Sequence, residues 1–154
     1  MLPNAMIIGA TKCGTSAAAF NLSQHPKVVF VNEPRFFDRH WERGIDWYER
    51  KFQQFCPNNL SIIGDKTPNY YCDKQALVRI QNLMPNIKMI LFLRNPVHRC
   101  VSRWRMRLAK RDPMVKIEEM IEMPWYQDDY AEGIQSIWDL FSKEQDLKFR
   151  IRQH

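Results

Sequence analysis

The chain has 154 residues, 45% of them hydrophobic and 12% aromatic, which is enough for one domain with a real core and excludes disorder. Its formal net charge of +6 favours an anionic partner without distinguishing a nucleotide, a nucleic acid, a membrane surface or a sulfated polymer. No apolar run approaches the ~20 residues that cross a bilayer, and residues 1–4 carry neither the basic nor the apolar region of a signal peptide.

Ala5–Gly9 is a short apolar run ending in glycine and predicts a buried strand. Thr15–Ser23 predicts a helix whose three alanines allow close packing on a sheet. Val28–Val31 is a second strand, and Ile45–Phe55 a helix anchored by Trp47, Tyr48, Phe52 and Phe55. Ser61–Gly64 is a third strand, followed by a helix over Asp73–Leu83. Ile87–Leu93 is the strongest strand, and the helix after it spaces Val97, Val101, Trp104 and Leu108 as an apolar face. Met114–Met123 and Tyr130–Phe141 read as amphipathic helices, the latter with Tyr130, Ile134, Ile137 and Phe141 on one side. Leu147–Arg152 alternates as a strand does, with a helical extension as the alternative.

Strands alternating with helices predict an α/β fold, with a central parallel sheet flanked by helices. Ligands of such sheets bind beyond the carboxyl ends of the strands, here after Ile8, Ile63 and Leu93. Unusual polar sequence follows all three.

Gly9-Ala-Thr-Lys12-Cys-Gly14-Thr15-Ser16 joins the first strand to the first helix. Glycines let successive backbone N–H groups converge on an anion, and the helix start adds partial positive charge. The segment differs from the kinase and ATPase pattern G-x-x-x-x-G-K-[ST]. Thr15 stands in the lysine position, and Lys12 precedes the second glycine. The strongest strand ends in Arg94 rather than in a metal-holding acid. At such a strand end an arginine can fork onto a phosphate. From Arg94 to Arg111 there are seven basic residues and no acid, with Arg99, Arg103 and Arg107 recurring on one helix face. No nucleic-acid-binding motif accompanies this stripe, so no nucleic-acid partner is expected. The four cysteines, Cys13, Cys56, Cys72 and Cys100, lack metal-ligand spacing and read as reduced thiols. A redox role for Cys13 would need a resolving thiol that the spacing does not provide.

Four segments, in order, resemble the PAPS-dependent sulfotransferases (PAPS is 3′-phosphoadenylyl sulfate), most closely the heparan sulfate glucosaminyl branch. They are Ile7–Ser16; Asn32–Asp38 with Gly44-Ile-Asp-Trp47-Tyr48; Asp65–Tyr71; and Leu93-Arg94-Asn95-Pro96 through Ser102. The resemblance implies a three-layer P-loop-like fold and a single sulfotransferase-like domain over residues 1–154, truncated at its C-terminus. It implies PAPS as co-substrate without a metal, and sulfuryl transfer to a hydroxyl or amine of a carbohydrate-like acceptor. A sulfuryl group carries less charge than a terminal phosphoryl, so a lysine and backbone donors can handle it without a divalent cation.

Carried over by position, Lys12, Cys13, Gly14, Thr15 and Ser16 would hold the 5′-phosphosulfate. Arg94 and Ser102 would hold the 3′-phosphate. Glu33 would be the general base, Lys66 would line the meeting point of donor and acceptor, and Arg35 and Asn69 would contact the acceptor. Ser16 stands where the branch often has arginine, and Met106 and Arg107 where it can place polar acceptor contacts. Two rival expectations are a non-catalytic nucleotide- or polyanion-binding relative and an atypical P-loop kinase. A soluble, cytoplasmic location is the default expectation, or the Golgi lumen if a leader or anchor has been removed.

Overall fold

The computed structural model describes residues 1–55, 60–110, 130–141 and, by backbone, 148–152. Five parallel strands form one sheet: β1 (Ala5–Gly9), β2 (Val28–Asn32), β3 (Ile62–Lys66), β4 (Lys88–Arg94) and β5 (Lys148–Arg152), in the order β2-β3-β1-β4-β5. All five residues of β1 are buried, which requires cover on both faces of the sheet. The helices are α1 (Thr15–Leu22), α2 (Phe36–Arg39), α3 (Ile45–Gln53), α4 (Lys74–Leu83), α5 (Pro96–Ala109) and α6 (Tyr130–Leu140). The protein is thus a three-layer, P-loop-like α/β domain. The chain leaves β1 toward β2 on one side and later crosses to β4 on the other. The winding reverses at β1, so the crevice over its carboxyl end is the expected ligand position.

Two details of this frame depart from expectation. β3 runs two residues beyond Gly64, so Asp65 and Lys66 belong to the strand and are both buried. Charged residues there looked like a strand end, but tyrosine hydroxyls satisfy the carboxylate and let the strand continue. Residues 36–43, for which the sequence pattern assigns no element, form α2 and a 3₁₀ turn at Trp41–Arg43. Phe36 and Phe37 pull that segment inward. Phe36 stacks on Tyr48, Phe37 meets Tyr70 edge-on, and all four rings are fully buried.

The expected apolar face of α5 is not its inner face. Val97 and Leu108 are exposed and Val101 and Trp104 half-buried, whereas Arg99 is buried and Arg103 and Arg107 are half-buried. The helix turns polar residues inward because it borders a cationic cleft rather than the apolar core. The predicted helix at 114–123 lies outside the described residues. The helix ending at Leu140 and the final strand form as predicted, with Ile137 and Phe141 in the core.

Candidate active site

A cleft of about 330 Å³ opens over the carboxyl ends of the central strands, a size found for small-molecule sites. One wall is the loop after β1 together with the first turn of α1. Gly14 caps α1 with φ 88°, a left-handed conformation that glycine adopts without steric cost, and no side chain caps the helix. The first-turn amides of α1 therefore lack both intrahelical acceptors and a side-chain cap. At the neighbouring start of α5 the Asn95 side chain accepts from the Val97 and His98 amides, at 3.0 and 3.3 Å. Of these two helix starts, α1 is the one left open to an external anion. Neither Thr15 nor Ser16 caps it; both line the cleft.

Lys12 enters with φ 67°, and its ammonium pKa is lowered, first by desolvation and then by Lys110, Arg94 and Arg103. Arg94, at the last position of β4, donates from Nη1 to the Lys12 carbonyl at 3.4 Å. Its Nε is buried without a hydrogen-bond partner among the described residues. A converging set of cations with an orphaned donor fits a multiply charged anion. Ser102, two turns into α5, and Met106 complete this side of the cleft.

Across the cleft, Glu33 has φ 49° and its carboxylate is nearly half exposed. Lys66 donates from Nζ to Glu33 Oε1 at 2.9 Å and to Ser16 Oγ at 3.3 Å. One buried ammonium thereby joins the α1 wall of the cleft to the carboxylate. Among the described residues, the three non-glycine residues with positive φ are Lys12, Glu33 and Arg35. Such conformations cost on the order of 1–3 kcal/mol each and cluster at functional sites.

Not every predicted residue faces the cleft. The Cys13 thiol is buried against Tyr130 Oη at 3.4 Å, and its amide is spent on the Ala10 carbonyl at 3.1 Å. It supports the loop from inside. Arg35 is paired with Asp38, and Asn69 accepts from Thr11 Oγ1 at 3.1 Å. Pro68, rather than Asn69, reaches the cleft wall.

Three residues that earned no role from the sequence stand directly behind the site. Asp65 is fully buried and accepts from Tyr48 Oη (2.8 Å), Thr67 Oγ1 (2.7 Å) and Tyr70 Oη (3.2 Å). Burial raises its pKa to about 7 even though those three donors favour the ionised form. Arg99 is buried and donates to the Thr11 carbonyl and Tyr71 Oη, while Tyr130 donates to the Arg94 carbonyl. The usable signal was Asp65 inside the Lys-Thr-Pro segment. Nothing local marks Arg99 apart from its neighbours in the basic stripe, or Tyr130 apart from any helix aromatic.

The sulfotransferase domain family matches residues 2–150, and the chain belongs to that family. It is 38% identical over 109 residues to heparan sulfate glucosamine 3-O-sulfotransferase 6 of Homo sapiens, covering 70% of this chain and 31% of that protein. It is 31% identical over 126 residues to the membrane-associated sulfotransferase kil1 of Dictyostelium discoideum, covering 79% and 27% respectively. The chain therefore spans less than a third of the length of these relatives. A crystal structure of a sulfotransferase from Alicyclobacillus acidocaldarius shares the fold, with a TM-score of 0.84 at 24% identity over 98% of this chain and 73% of that one. Among the described residues, no helix is long and apolar enough to cross a membrane.

Proposed function

We propose that this protein is a sulfotransferase that moves a sulfuryl group from PAPS to a hydroxyl or amine of a glucosamine-containing saccharide. The observation that carries the reading is the joining in one cleft of two cationic anchors and the Glu33 carboxylate, which buried Lys66 holds from behind the cleft wall. Lys12 and the open start of α1 would hold the 5′-phosphosulfate, and Arg94 with Ser102 the 3′-phosphate. When bound, PAPS supplies the activated sulfuryl group.

The chain's own residues supply the rest. Glu33 takes the proton from the acceptor oxygen or nitrogen, which is a poor nucleophile while protonated. Lys66, held between Ser16 and Glu33, fixes the carboxylate beside the phosphate loop. Lys12 and the first-turn amides stabilise negative charge on the departing bridging oxygen. The names of the relatives support a glucosaminyl acceptor; Met106 on the cleft wall gives that acceptor an apolar surface.

The test is transfer of labelled sulfuryl from PAPS to a panel of glucosamine-containing oligosaccharides. Lys12→Ala and Arg94→Ala should each weaken binding of the product nucleotide PAP (adenosine 3′,5′-bisphosphate) about 10- to 100-fold, as expected for a charged hydrogen bond lost from a phosphate. Unchanged affinity in both variants refutes the assignment of the two anchors. PAP binding by the wild type with no transfer across the panel supports a non-catalytic, nucleotide-binding role instead.

A further inference from the structure

We propose that Tyr130 and Arg99 are positioning residues that brace the two phosphate-binding segments against each other from behind the cleft. This inference rests on the nucleotide-binding reading above.

The two anchors belong to different strands. Lys12 follows β1 and Arg94 ends β4, and a ligand with two phosphates requires a fixed spacing between them. Direct contact between them is slight: one long Arg94 Nη1 to Lys12 carbonyl bond at 3.4 Å. Behind them the contacts are better. Tyr130, first residue of α6, donates from Oη to the Arg94 carbonyl at 3.0 Å and lies 3.4 Å from Cys13 Sγ. The phenol has a single hydrogen, already committed to Arg94, so the second contact is a hydrogen bond only when the thiol turns to it from the Thr11 carbonyl at 3.8 Å. One oxygen thus touches the residue after Lys12 and the backbone of Arg94 itself.

Arg99 completes the brace. It lies in the first turns of α5, is 6% exposed, and donates from Nε to the Thr11 carbonyl at 3.0 Å and from Nη2 to Tyr71 Oη at 3.1 Å. Its guanidinium sits 5.0 Å from the centre of the Tyr130 ring. The planar fork reaches the loop and Tyr71 together, which an ammonium cannot reproduce. Tyr71 is itself wedged between Gly9 and Gly133. An added Cβ would approach its ring to 2.3 Å at Gly9 and 2.8 Å at Gly133. Strand, loop and helix are therefore locked around buried Arg99 and half-buried Tyr130, and neither lines the cleft.

Tyr130→Phe removes one oxygen and keeps the ring over Arg99. The experiment is calorimetric titration of the full chain with PAP and with adenosine 5′-phosphate, which lacks the 3′-phosphate, in four proteins: wild type, Tyr130→Phe, Arg94→Ala and the double variant. The account expects Tyr130→Phe to weaken PAP binding about fivefold, the scale of one hydrogen bond. It should weaken adenosine 5′-phosphate less, so that the 3′-phosphate's advantage shrinks. In the Arg94→Ala background the same change should have little further effect on PAP, because the group being positioned is gone. Equal losses in both backgrounds, or equal losses for both ligands, overturn the brace and leave only a stabilising role. An Arg99→Lys variant, if it folds, should resemble Tyr130→Phe rather than wild type; wild-type affinity there removes Arg99 from the proposal. Failure of the wild type to bind PAP overturns both this inference and the reading beneath it.

Discussion

Asp65 and Lys66 are neighbours on β3, and because successive side chains of a strand point to opposite faces they meet different surroundings. Lys66 goes to Ser16 and Glu33, while Asp65 goes to the hydroxyls of Tyr48, Thr67 and Tyr70. Burial raises the Asp65 pKa from 3.8 to about 7, so across that interval the native state keeps a proton that the unfolded chain has released. By linkage, this carboxyl contributes a fall in stability as pH rises from 3.8 to about 7 and no further change above it. Asp65→Asn, of the same shape, should lack that slope. Urea midpoints measured at about pH 5 and about pH 8 should show the wild type losing ground to the variant as pH rises; a constant difference refutes an elevated Asp65 pKa. At Glu33 the expectation concerns rate. Glu33→Gln should lower transfer about 100- to 10,000-fold, the usual worth of a general base, while PAP affinity stays within about threefold. Equal turnover removes Glu33 as the base.

At the scale of elements, the open start of α1 and the self-capped start of α5 divide the labour at the sheet's carboxyl edge. The loop after β1 also needs Gly9, where a Cβ would meet Tyr71 Cδ1 at 2.3 Å and Leu91 Cδ1 at 3.0 Å. Gly133 holds the other side of that ring, so it cannot retreat. Gly9→Ala should therefore cost about 1–3 kcal/mol, read as a clear drop in the melting midpoint followed by circular dichroism; an unchanged midpoint contradicts this packing. Apolar runs announced β1, β2 and β4; only β1 is buried throughout, while the β2 and β4 runs are largely half-buried. β3 was shortened, since Asp65 and Lys66 look like surface residues until the tyrosines and Glu33 that satisfy them are in place. The inner face of α5 was misread for the related reason that its burial is polar. Lys12, Glu33 and Arg94 were legible because they sit in or beside recognisable segments at strand ends. Arg99 and Tyr130 were not, since their roles arise from contacts 88 and 36 residues apart in sequence.

For the whole molecule, the net charge of +6 is not spread evenly: Lys110, Arg94 and Arg103 all act on Lys12 at the cleft. Desolvation first, and repulsion from these cations second, lower the Lys12 pKa, and a bound polyanionic nucleotide would relieve the repulsion. Affinity for PAP should therefore fall several-fold when salt is raised from about 0.05 M to about 0.5 M, as screening shortens the reach of exposed charges; salt-independent affinity would argue against an electrostatic cleft. The central claim is that two cationic anchors on adjacent strands hold one nucleotide carrying phosphates at both ends. It is tested most directly by thermal-shift titration of the wild type with PAP in the presence of a chelator, beside ATP with magnesium. The account predicts that PAP raises the melting midpoint without metal and that ATP with magnesium has the smaller effect. Stabilisation by ATP with magnesium and none by PAP would contradict it.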